Sequence, residues 1–212
     1  MVMLFSVQNR EHGFTLTELL IAMAISGIIL GSLAGTFIML RKSFEVQEQI
    51  TEMVQTARAS IDMLTREVRM AGYDPTGGIA MQRSDPTKEN FVGIPYAANE
   101  LQIISDLDSD GSTTGPNENI TYTYYDATDQ IKRKTGKGYF QPFAENIKEF
   151  KFDYLEADGT TKVTTTADTD KIRQIKITIT SRTAKADPDY SANNGFRTYT
   201  LISLITPRNL AL

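Results

Sequence analysis

An uncharged and mostly aliphatic run over residues 19–40 constrains this chain more than any other feature. As a helix, its 22 residues would extend about 33 Å at about 1.5 Å per residue, which matches the thickness of a bilayer core. Glu18 directly precedes the run and is the only charged residue between Gly13 and Leu40. Because a carboxylate at the edge of a membrane span is energetically costly, it usually has a partner or a function. The segment therefore predicts a membrane-spanning helix with a functional acid near its start.

The start of this segment, GFTLTELLIA over residues 13–22, resembles the cleavage and methylation segment of type IV prepilins and pseudopilins. In that family a prepilin peptidase removes a short polar leader after the glycine. The new terminal residue, usually Phe, is N-methylated, and the fifth mature residue is Glu. Gly13, Phe14 and Glu18 match these positions one by one. The resemblance thus implies that Gly13 and Phe14 form the processing site and that Glu18 acts in assembly. An ordinary signal anchor that carries a glutamate is the alternative.

The predicted leader, residues 1–13, has the reverse order of a secretory signal, because its polar stretch QNREHG comes directly before the long apolar run. The charged residues on either side of the span do not favour one orientation of the helix in the membrane. Arg10 is offset by Glu11, and Arg41 with Lys42 after the span would favour the opposite topology under the positive-inside rule. From the processing motif we predict a single-pass precursor in the cytoplasmic membrane, with its globular domain outside the cytoplasm, that later enters a pilus or pseudopilus.

The chain contains no cysteine, and its one histidine, His12, lies in the predicted leader. Disulfides, thiolate metal sites and thiol nucleophiles are therefore excluded, and a processed chain would also lack Ser-His-Asp chemistry and histidine metal ligands. We predict a protein that is not an enzyme. Hydrolysis by carboxylates alone would need two acids facing one cleft, which the sequence does not reveal. The net charge of −4 provides no global basic field, so composition does not support nucleic-acid binding.

Residues 41–71 contain no proline or glycine, so nothing in the sequence stops the helix at residue 40. Apolar residues then recur at a spacing that places them on one helical face: Ile50, Val54, Ala57, Ile61, Leu64, Val68 and Ala71. We predict one helix over residues 15–71, ended by Gly72 and Pro75. Charged and amide side chains are assigned to the other faces: Glu48, Glu52, Gln55, Arg58, Asp62 and Glu67. A coiled coil is the alternative for so long a pattern.

The rest of the chain is rich in β-branched and aromatic residues in alternation, which predicts strands. The predicted strands are residues 101–105, 120–125, 130–134, 147–155, 172–182 and 196–205, with 91–95 as a candidate edge piece and polar loops over 74–89, 156–171 and 183–195. No helical pattern separates them, so an antiparallel sheet follows. The predicted fold class is α+β, with the long helix packed against this sheet, which is also the pilin-like arrangement that the resemblance implies. Its parts are a leader (1–13), a transmembrane half of the helix (14–40), an amphipathic half (41–72) and a β-rich globular domain (73–212).

Two short motifs indicate which subgroup of this family the chain resembles. TREVRMAGYDP over residues 65–75, at the end of the predicted helix, and PRNL over residues 207–210 are similar to the corresponding parts of PilW-type minor pilins. Along the predicted span, Gly27, Gly31 and Gly35 recur every four residues. Small residues at that spacing let membrane helices approach closely, although membrane helices also tolerate glycine without a packing role.

The stretch SDLDSDG over residues 105–111 places Asp106, Asp108 and Asp110 at alternating positions before a glycine. This is the first half of an EF-hand-like loop, in which acids converge on calcium and the glycine makes the turn. The second half departs from the pattern, because position twelve is Asn117 and Glu118 comes one residue late. The candidate ligands are Asp106, Asp108, Asp110, Ser112, Asn117 and Glu118. Calcium is thus the one candidate cofactor, and a surface Asp-Gly turn without metal is the alternative.

Taken with the resemblance, the sequence predicts a minor type IV pilin that prepilin peptidase processes and that assembles with other pilins through its N-terminal helix. The N-methyltransferase and the inner-membrane assembly machinery are further predicted partners, and cell adhesion is one role that fits. A J-like pseudopilin of type II secretion is the nearest alternative, since it shares the anchor and the β-rich body. A membrane-anchored calcium-binding or adhesive protein that does not polymerise is another.

Overall fold

The computed structural model describes residues 13–77, 79 and 92–210. The predicted leader up to His12, most of the loop predicted over residues 74–89 and the first residue of the candidate edge piece lie outside this part. The chain divides into two compact units, Met1–Gln47 and Glu48–Leu212. The first holds the apolar half of the long helix, and the second holds the rest of the helix and the strands.

Helix α1 covers Leu16–Met70 and contains 55 residues. It confirms the predicted helix over residues 15–71 to within one residue at each end. The chain leaves the helix at Gly72, whose φ of +75° lies in the left-handed region that favours glycine. The Tyr73 amide donates a hydrogen bond to the Met70 carbonyl at 3.0 Å, which closes the last turn.

In the first unit, the apolar side chains of α1 are exposed. Leu20, Ile28 and Phe37 are 57%, 71% and 63% exposed, and α1 is the only described element of this unit. A window of α1 with a mean hydropathy of 2.1 is long and apolar enough to cross a membrane, and none of it is buried. Among the described residues of this unit, nothing supplies the apolar environment that this half of the helix needs.

In the second unit, α1 buries the apolar face that the spacing predicts. The buried helix residues are Met53, Ala57, Ser60, Ile61, Leu64 and Val68, and Ala71 just beyond the helix is also buried. Ile50 and Val54, at the start of the predicted face, are half-buried. The amphipathic pattern therefore marks the surface on which the strands pack.

The sequence assigned all the charged residues of this half to faces away from the core. For Glu67 that prediction is wrong. Its side chain is only 14% exposed, and Arg133 Nη2 donates to its Oε1 at 2.8 Å. The Tyr122 hydroxyl donates to the other carboxylate oxygen. Helical spacing alone assigns an acid to the solvent side, because it cannot anticipate a basic partner that a distant strand contributes.

Eight strands form two antiparallel four-stranded sheets in the described part of the chain. Sheet A contains, in spatial order, β1 (Glu100–Ile104), β2 (Asn119–Tyr125), β3 (Gln130–Thr135) and β4 (Gln141–Ala144). Sheet B contains, in spatial order, β6 (Lys162–Val163), β5 (Ile147–Leu155), β7 (Gln174–Arg182) and β8 (Thr198–Ile205). The α+β fold with a long helix on antiparallel strands is confirmed, with two sheets where the sequence predicted one.

Strands β4 and β6 were not predicted. β4 contains Pro142 and lies at the edge of sheet A, where a residue without an amide donor is tolerated. β6 has two residues inside the predicted loop 156–171, yet its Val163 is buried. Neither segment is long enough to show alternation. Residues 92–95 form no strand, although Ile94 is fully buried.

One hydrophobic core joins the second half of α1 to both sheets. The register of β5 and β7 places Phe150 opposite Ile179 and Phe152 opposite Ile177, and these side chains pack in or against this core. A polar contact also ties the helix to sheet B: the Ser181 hydroxyl donates to the Met53 carbonyl at 3.0 Å. Among the described residues, the long helix and both sheets therefore share this core.

Candidate functional sites

The first candidate site is the beginning of α1, where Thr15 caps the helix. The Thr15 amide donates to Glu18 Oε2 at 2.9 Å, and the Glu18 amide donates to Thr15 Oγ1 at 3.3 Å. The Thr15 hydroxyl donates to the same carboxylate oxygen at 2.8 Å. This reciprocal pair is a capping box, which satisfies amides that lack a partner inside the helix. Sequence reasoning missed this local role of Glu18, although the spacing Thr-x-x-Glu is its signal.

Gly13 and Phe14 lie just before α1 and are accessible. Phe14 is 91% exposed. Apart from its chain neighbours, no described residue has an atom within 4 Å of the position that a Cβ on Gly13 would take. Gly27, Gly31 and Gly35 also have open space at their missing Cβ positions. In the part of the chain that the structure describes, therefore, nothing packs into the gaps along the glycine face.

The second candidate site is the loop between β1 and β2. One carboxylate oxygen from each of Asp106, Asp108 and Glu118 lies within 4.8 Å of the other two. The two ends of this loop are adjacent because β1 and β2 pair antiparallel, and the Ser105 amide donates to the Glu118 carbonyl at 2.8 Å. This pairing brings Glu118 to the other acids although it comes one residue late for an EF-hand. The spacing suits oxygen ligands about 2.3–2.6 Å from one calcium ion.

Asp106 and Glu118 are fully buried, and loop amides hold both carboxylates. Asp106 accepts from the amides of Ser109 and Gly111 at 2.7 and 3.1 Å, and Glu118 from those of Leu107, Asp108 and Gly115 at 2.8, 3.3 and 2.6 Å. Among residues 13–77, 79 and 92–210, no lysine or arginine forms an ion pair with either acid. The loop thus fixes two buried negative groups without a neighbouring positive side chain.

Asp108 is the exposed member of this acidic cluster. Partial desolvation of its carboxyl group, together with the negative charges of Asp110, Glu118 and Asp106, raises the pKa of Asp108. The hydrogen bond from the Asp110 amide only partly opposes this change. Like charges held together destabilise their ionised forms, so a cation among them would relieve that repulsion.

The other three candidate ligands make contacts beside the cluster. The Asp110 carboxylate accepts the Ser112 amide at 2.8 Å, and the Ser112 hydroxyl pairs with that of Thr114 at 2.8 Å. The Asn117 side chain accepts a hydrogen bond from Arg133 at 3.0 Å. The structure therefore brings Asp106, Asp108 and Glu118 together, whereas the side chains of Asp110, Ser112 and Asn117 form hydrogen bonds with other partners.

Gly115 is a further residue of this loop that sequence reasoning missed. A Cβ at this position would lie 2.5 Å from Glu118 Oε2, which is closer than a carbon and a carboxylate oxygen can approach. Its amide donates to that same oxygen. In the sequence, a glycine between Thr114 and Pro116 predicts only a turn. The contact between the Gly115 backbone and the Glu118 carboxylate depends on the folded loop and could not be predicted.

The two short motifs near the ends of the body touch each other. A Cβ on Gly72 would lie 2.9 Å from the Asn209 carbonyl oxygen, and the Arg208 amide donates to the Arg69 carbonyl at 3.3 Å. Glu67, in the first motif, reaches sheet A through Tyr122. Burial and the negative charge of Glu67 raise the pKa of Tyr122, so its hydroxyl stays protonated and donates. The end of α1, the chain terminus and sheet A are thus held together.

Comparison with known proteins identifies the N-terminal segment. Residues 8–34 match the family model of the prokaryotic N-terminal methylation motif. The chain is similar in structure to a type IV-like pilin from Thermus thermophilus, with 14% sequence identity and a TM-score of 0.45, covering 76% of this chain and 100% of that one. No curated protein matches this chain in sequence.

The chain therefore carries the N-terminal methylation motif of prokaryotic prepilins, and the resemblance drawn from residues 13–22 is confirmed. The motif spans the predicted cut after Gly13, the first mature residue Phe14 and the acid Glu18. The narrower likeness to PilW-type minor pilins stays a prediction.

Proposed function

We propose that this protein is a minor type IV pilin of the PilW type, a structural subunit rather than an enzyme, which polymerises with other pilins through α1. One observation carries the proposal: the methylation motif leads into a helix whose apolar side chains stay exposed throughout the first unit. Such a surface is stable only in lipid or against other apolar helices. The membrane would cover it in the precursor, and neighbouring subunits would cover it in a filament.

The proposed route begins with a single-pass precursor in the cytoplasmic membrane whose globular domain lies outside the cytoplasm. Prepilin peptidase would cut between Gly13 and Phe14, and the N-methyltransferase activity would then modify the Phe14 amine. The exposure of both residues outside α1 supports access to this bond. The inner-membrane assembly machinery would then transfer the subunit from the membrane into the pilus.

Glu18 would set the register between subunits by pairing with the methylated amine of Phe14, its own or a neighbour's. In the single chain its carboxylate accepts hydrogen bonds from Thr15 through one oxygen, Oε2. A carboxylate offers about four acceptor positions, so the capping box leaves room for an amine. In a medium of low dielectric constant this ion pair is much stronger than in water.

The experiment that tests this proposal compares Glu18→Ala with Glu18→Gln. Glutamine keeps the capping box but removes the charge, so pairing with the amine predicts that both variants are processed, remain in the membrane and are poorly incorporated into sheared filaments. Glu52→Ala, an exposed acid further along α1, is the matched control and should be incorporated normally. Normal incorporation of Glu18→Gln would show that only the cap matters and would contradict the pairing.

The nearest alternative, a J-like pseudopilin of type II secretion, shares the processing motif and a β-rich body. Co-purification of the assembled subunit with pili, rather than with secretion components, is the result that supports the pilin. A chain that keeps its leader and never enters a filament would instead favour an anchored, non-polymerising protein that acts in calcium binding or adhesion.

We also propose that the loop between β1 and β2 binds calcium. The convergence of Asp106, Asp108 and Glu118 within 4.8 Å supports this site, with Asp110, Ser112 and Asn117 close enough in sequence to complete it. Bound calcium would neutralise the two buried acids and lock the loop against the end of α1, because the Asp106 amide donates to the Tyr73 carbonyl at 2.7 Å.

Thermal melts in millimolar calcium and in chelator test the calcium site. Calcium should raise the melting temperature of the wild-type protein, whereas Asp108→Asn should lose this response and melt at a slightly higher temperature in chelator, since one of the clustered charges is gone. Asp158→Asn, an exposed acid in another turn, is the control and should keep the full response. No stabilisation of the wild type by calcium would refute the site.

A further inference from the structure

An open groove lies between the last turns of α1, sheet A and the loop between β1 and β2. Its volume is about 360 Å³, which is within the range of roughly 300–1,000 Å³ that is usual for small-molecule sites. This helix-end groove is lined by, among others, Met63, Arg66, Met70, Ile103, Leu107 and Arg133. All of these residues belong to the second unit, so the groove is a feature of the folded body alone.

The surface of the helix-end groove is mainly apolar. Ile103 and Ile120 lie opposite each other on β1 and β2 and are almost fully buried, whereas Met70 and Leu107 are 39% and 40% exposed. Among the described residues that line the groove, none is aromatic. Methionine side chains are flexible and adapt to the shape of what they contact. The groove therefore suits a linear aliphatic group better than a flat ring.

Arg133, on one side of the groove, keeps donors that the protein does not use. Its Nη2 donates to Glu67 Oε1 at 2.8 Å and to the Asn117 side chain at 3.0 Å. Tyr122 donates to the other oxygen of Glu67, so both oxygens of this acid already have a partner. Arg133 Nε is buried and has no hydrogen-bond partner in the described structure. A guanidinium has five N–H donors, and two of those of Arg133 are accounted for by Nη2.

Arg66 brings a second positive charge to the groove. It is exposed on α1, and within the described ranges it forms no ion pair. With Arg133 and Glu67 it leaves one positive charge in excess among the charged side chains that line the groove. The loop between β1 and β2 contributes Leu107 to the lining but none of its three clustered acids.

We infer that the helix-end groove binds a linear aliphatic carboxylate, of the kind that a medium-chain fatty acid provides. The tail would lie on Ile103 and Ile120 beside the methionines, where it would cover apolar surface that the folded body leaves open. The head group would accept hydrogen bonds from the arginines, and such charge-assisted bonds are stronger than neutral ones. A single excess positive charge matches one carboxylate and not a polyanion.

The groove is separate from the residues proposed to act in filament assembly and in calcium binding, so these proposals can fail independently. Arg66→Gln should leave processing after Gly13 and filament incorporation unchanged. Glu18→Gln should leave binding of the carboxylate unchanged, and so should Asp158→Asn.

The test is NMR of the methionine methyl groups of the full chain in lipid nanodiscs, titrated with octanoate. Met63→Leu and Met70→Leu assign the two signals of the groove, which should shift together and saturate, with a dissociation constant in the millimolar range. Met53, which is buried in the core, should not shift. Met39, in the apolar half of α1, reports any octanoate that enters the lipid, and its signal should not saturate.

Substitution of Arg66 tests the role of the head group. Arg66→Gln should bind octanoate roughly threefold more weakly, as expected for the loss of one exposed ionic contact, and Arg66→Lys should restore most of the binding because it keeps the charge. Arg58→Gln, an exposed arginine of the same helix outside the groove, is the matched control and should bind like the wild type.

Changes in the ligand test the two parts of the site separately. Hexanoate should bind roughly tenfold more weakly than octanoate, because it buries two fewer methylene groups. Octanol has the same tail without the charge, so it should bind more weakly than octanoate and should be insensitive to Arg66→Gln.

Three outcomes would overturn the inference. The first is the absence of a saturable shift of the Met63 and Met70 signals in the folded wild-type chain. The second is octanol binding as tightly as octanoate together with unchanged octanoate binding by Arg66→Gln, which would mean an apolar patch without a head-group site. The third is a shift of both signals with protein concentration and none with octanoate, which would mean that a second copy covers the groove.

Discussion

The two halves of α1 use apolar residues in opposite ways. From residue 16 to 47 the helix exposes leucine, isoleucine and phenylalanine, whereas from Met53 to Val68 it buries a narrow apolar face in the core of the body. The same secondary structure therefore serves two kinds of partner. The second half has its partner within the chain, in the two sheets, and the first half has its proposed partners in lipid and in other subunits. Mutations that distinguish the halves are the most direct way to examine this contrast.

The largest expected difference is between Leu64→Ala and Leu30→Ala. Leu64 is fully buried and Leu30 is 65% exposed. Leu64→Ala should lower the free energy of unfolding of the body by about 3 kcal/mol, since a large-to-small change in a core also leaves a cavity. Leu30→Ala should change it by less than about 0.5 kcal/mol. Urea unfolding of the full chain in detergent, followed by near-ultraviolet circular dichroism, measures both, and equal losses would contradict the contrast between the two halves.

The next largest effect concerns the end of the buried half. Gly72→Ala should destabilise the body by about 2–3 kcal/mol, because a Cβ there meets the Asn209 carbonyl oxygen at 2.9 Å and the left-handed backbone adds strain. Gly77 has a similar φ of +65° but open space around it, so Gly77→Ala should cost only about 1 kcal/mol. The same unfolding assay compares the two. If both substitutions had the same cost, the packing of the C-terminal motif on the helix end would be unimportant.

The smallest effect compares one acid from each half. Glu67→Gln should lower the free energy of unfolding of the body by about 1–2 kcal/mol, since it removes the charge that Arg133 and Tyr122 both contact. Glu18→Gln should leave this free energy unchanged, because its contacts are with Thr15 alone in the described structure. A body that is equally stable with Glu67→Gln would show that the helix end is held by apolar packing only.

The sequence predicted the elements well because periodicity is a local property. The long helix, its apolar face and six of the strands follow from spacing and residue type, and the processing motif follows from a fixed order of residues. β4 and β6 were missed because an edge strand with Pro142 and a two-residue strand carry almost no periodic signal. Their positions are fixed by the neighbouring strands on which they pair.

Features that depend on distant pairing could be predicted only in part: Glu118 was a candidate ligand, but the contacts of Glu67 were missed. Glu67 is half-buried because Arg133 and Tyr122 reach it from sheet A, and Glu118 joins Asp106 because two strands place the loop ends side by side.

The measurement that tests the central claim most directly is the mass of the N-terminal peptide from protein purified out of the native membrane or filament. The account predicts a peptide that begins at Phe14 and carries one added methyl group on its amine. A peptide that still contains the residues before Phe14 would contradict it, because an uncut chain could not place Glu18 beside the Phe14 amine of a neighbouring subunit.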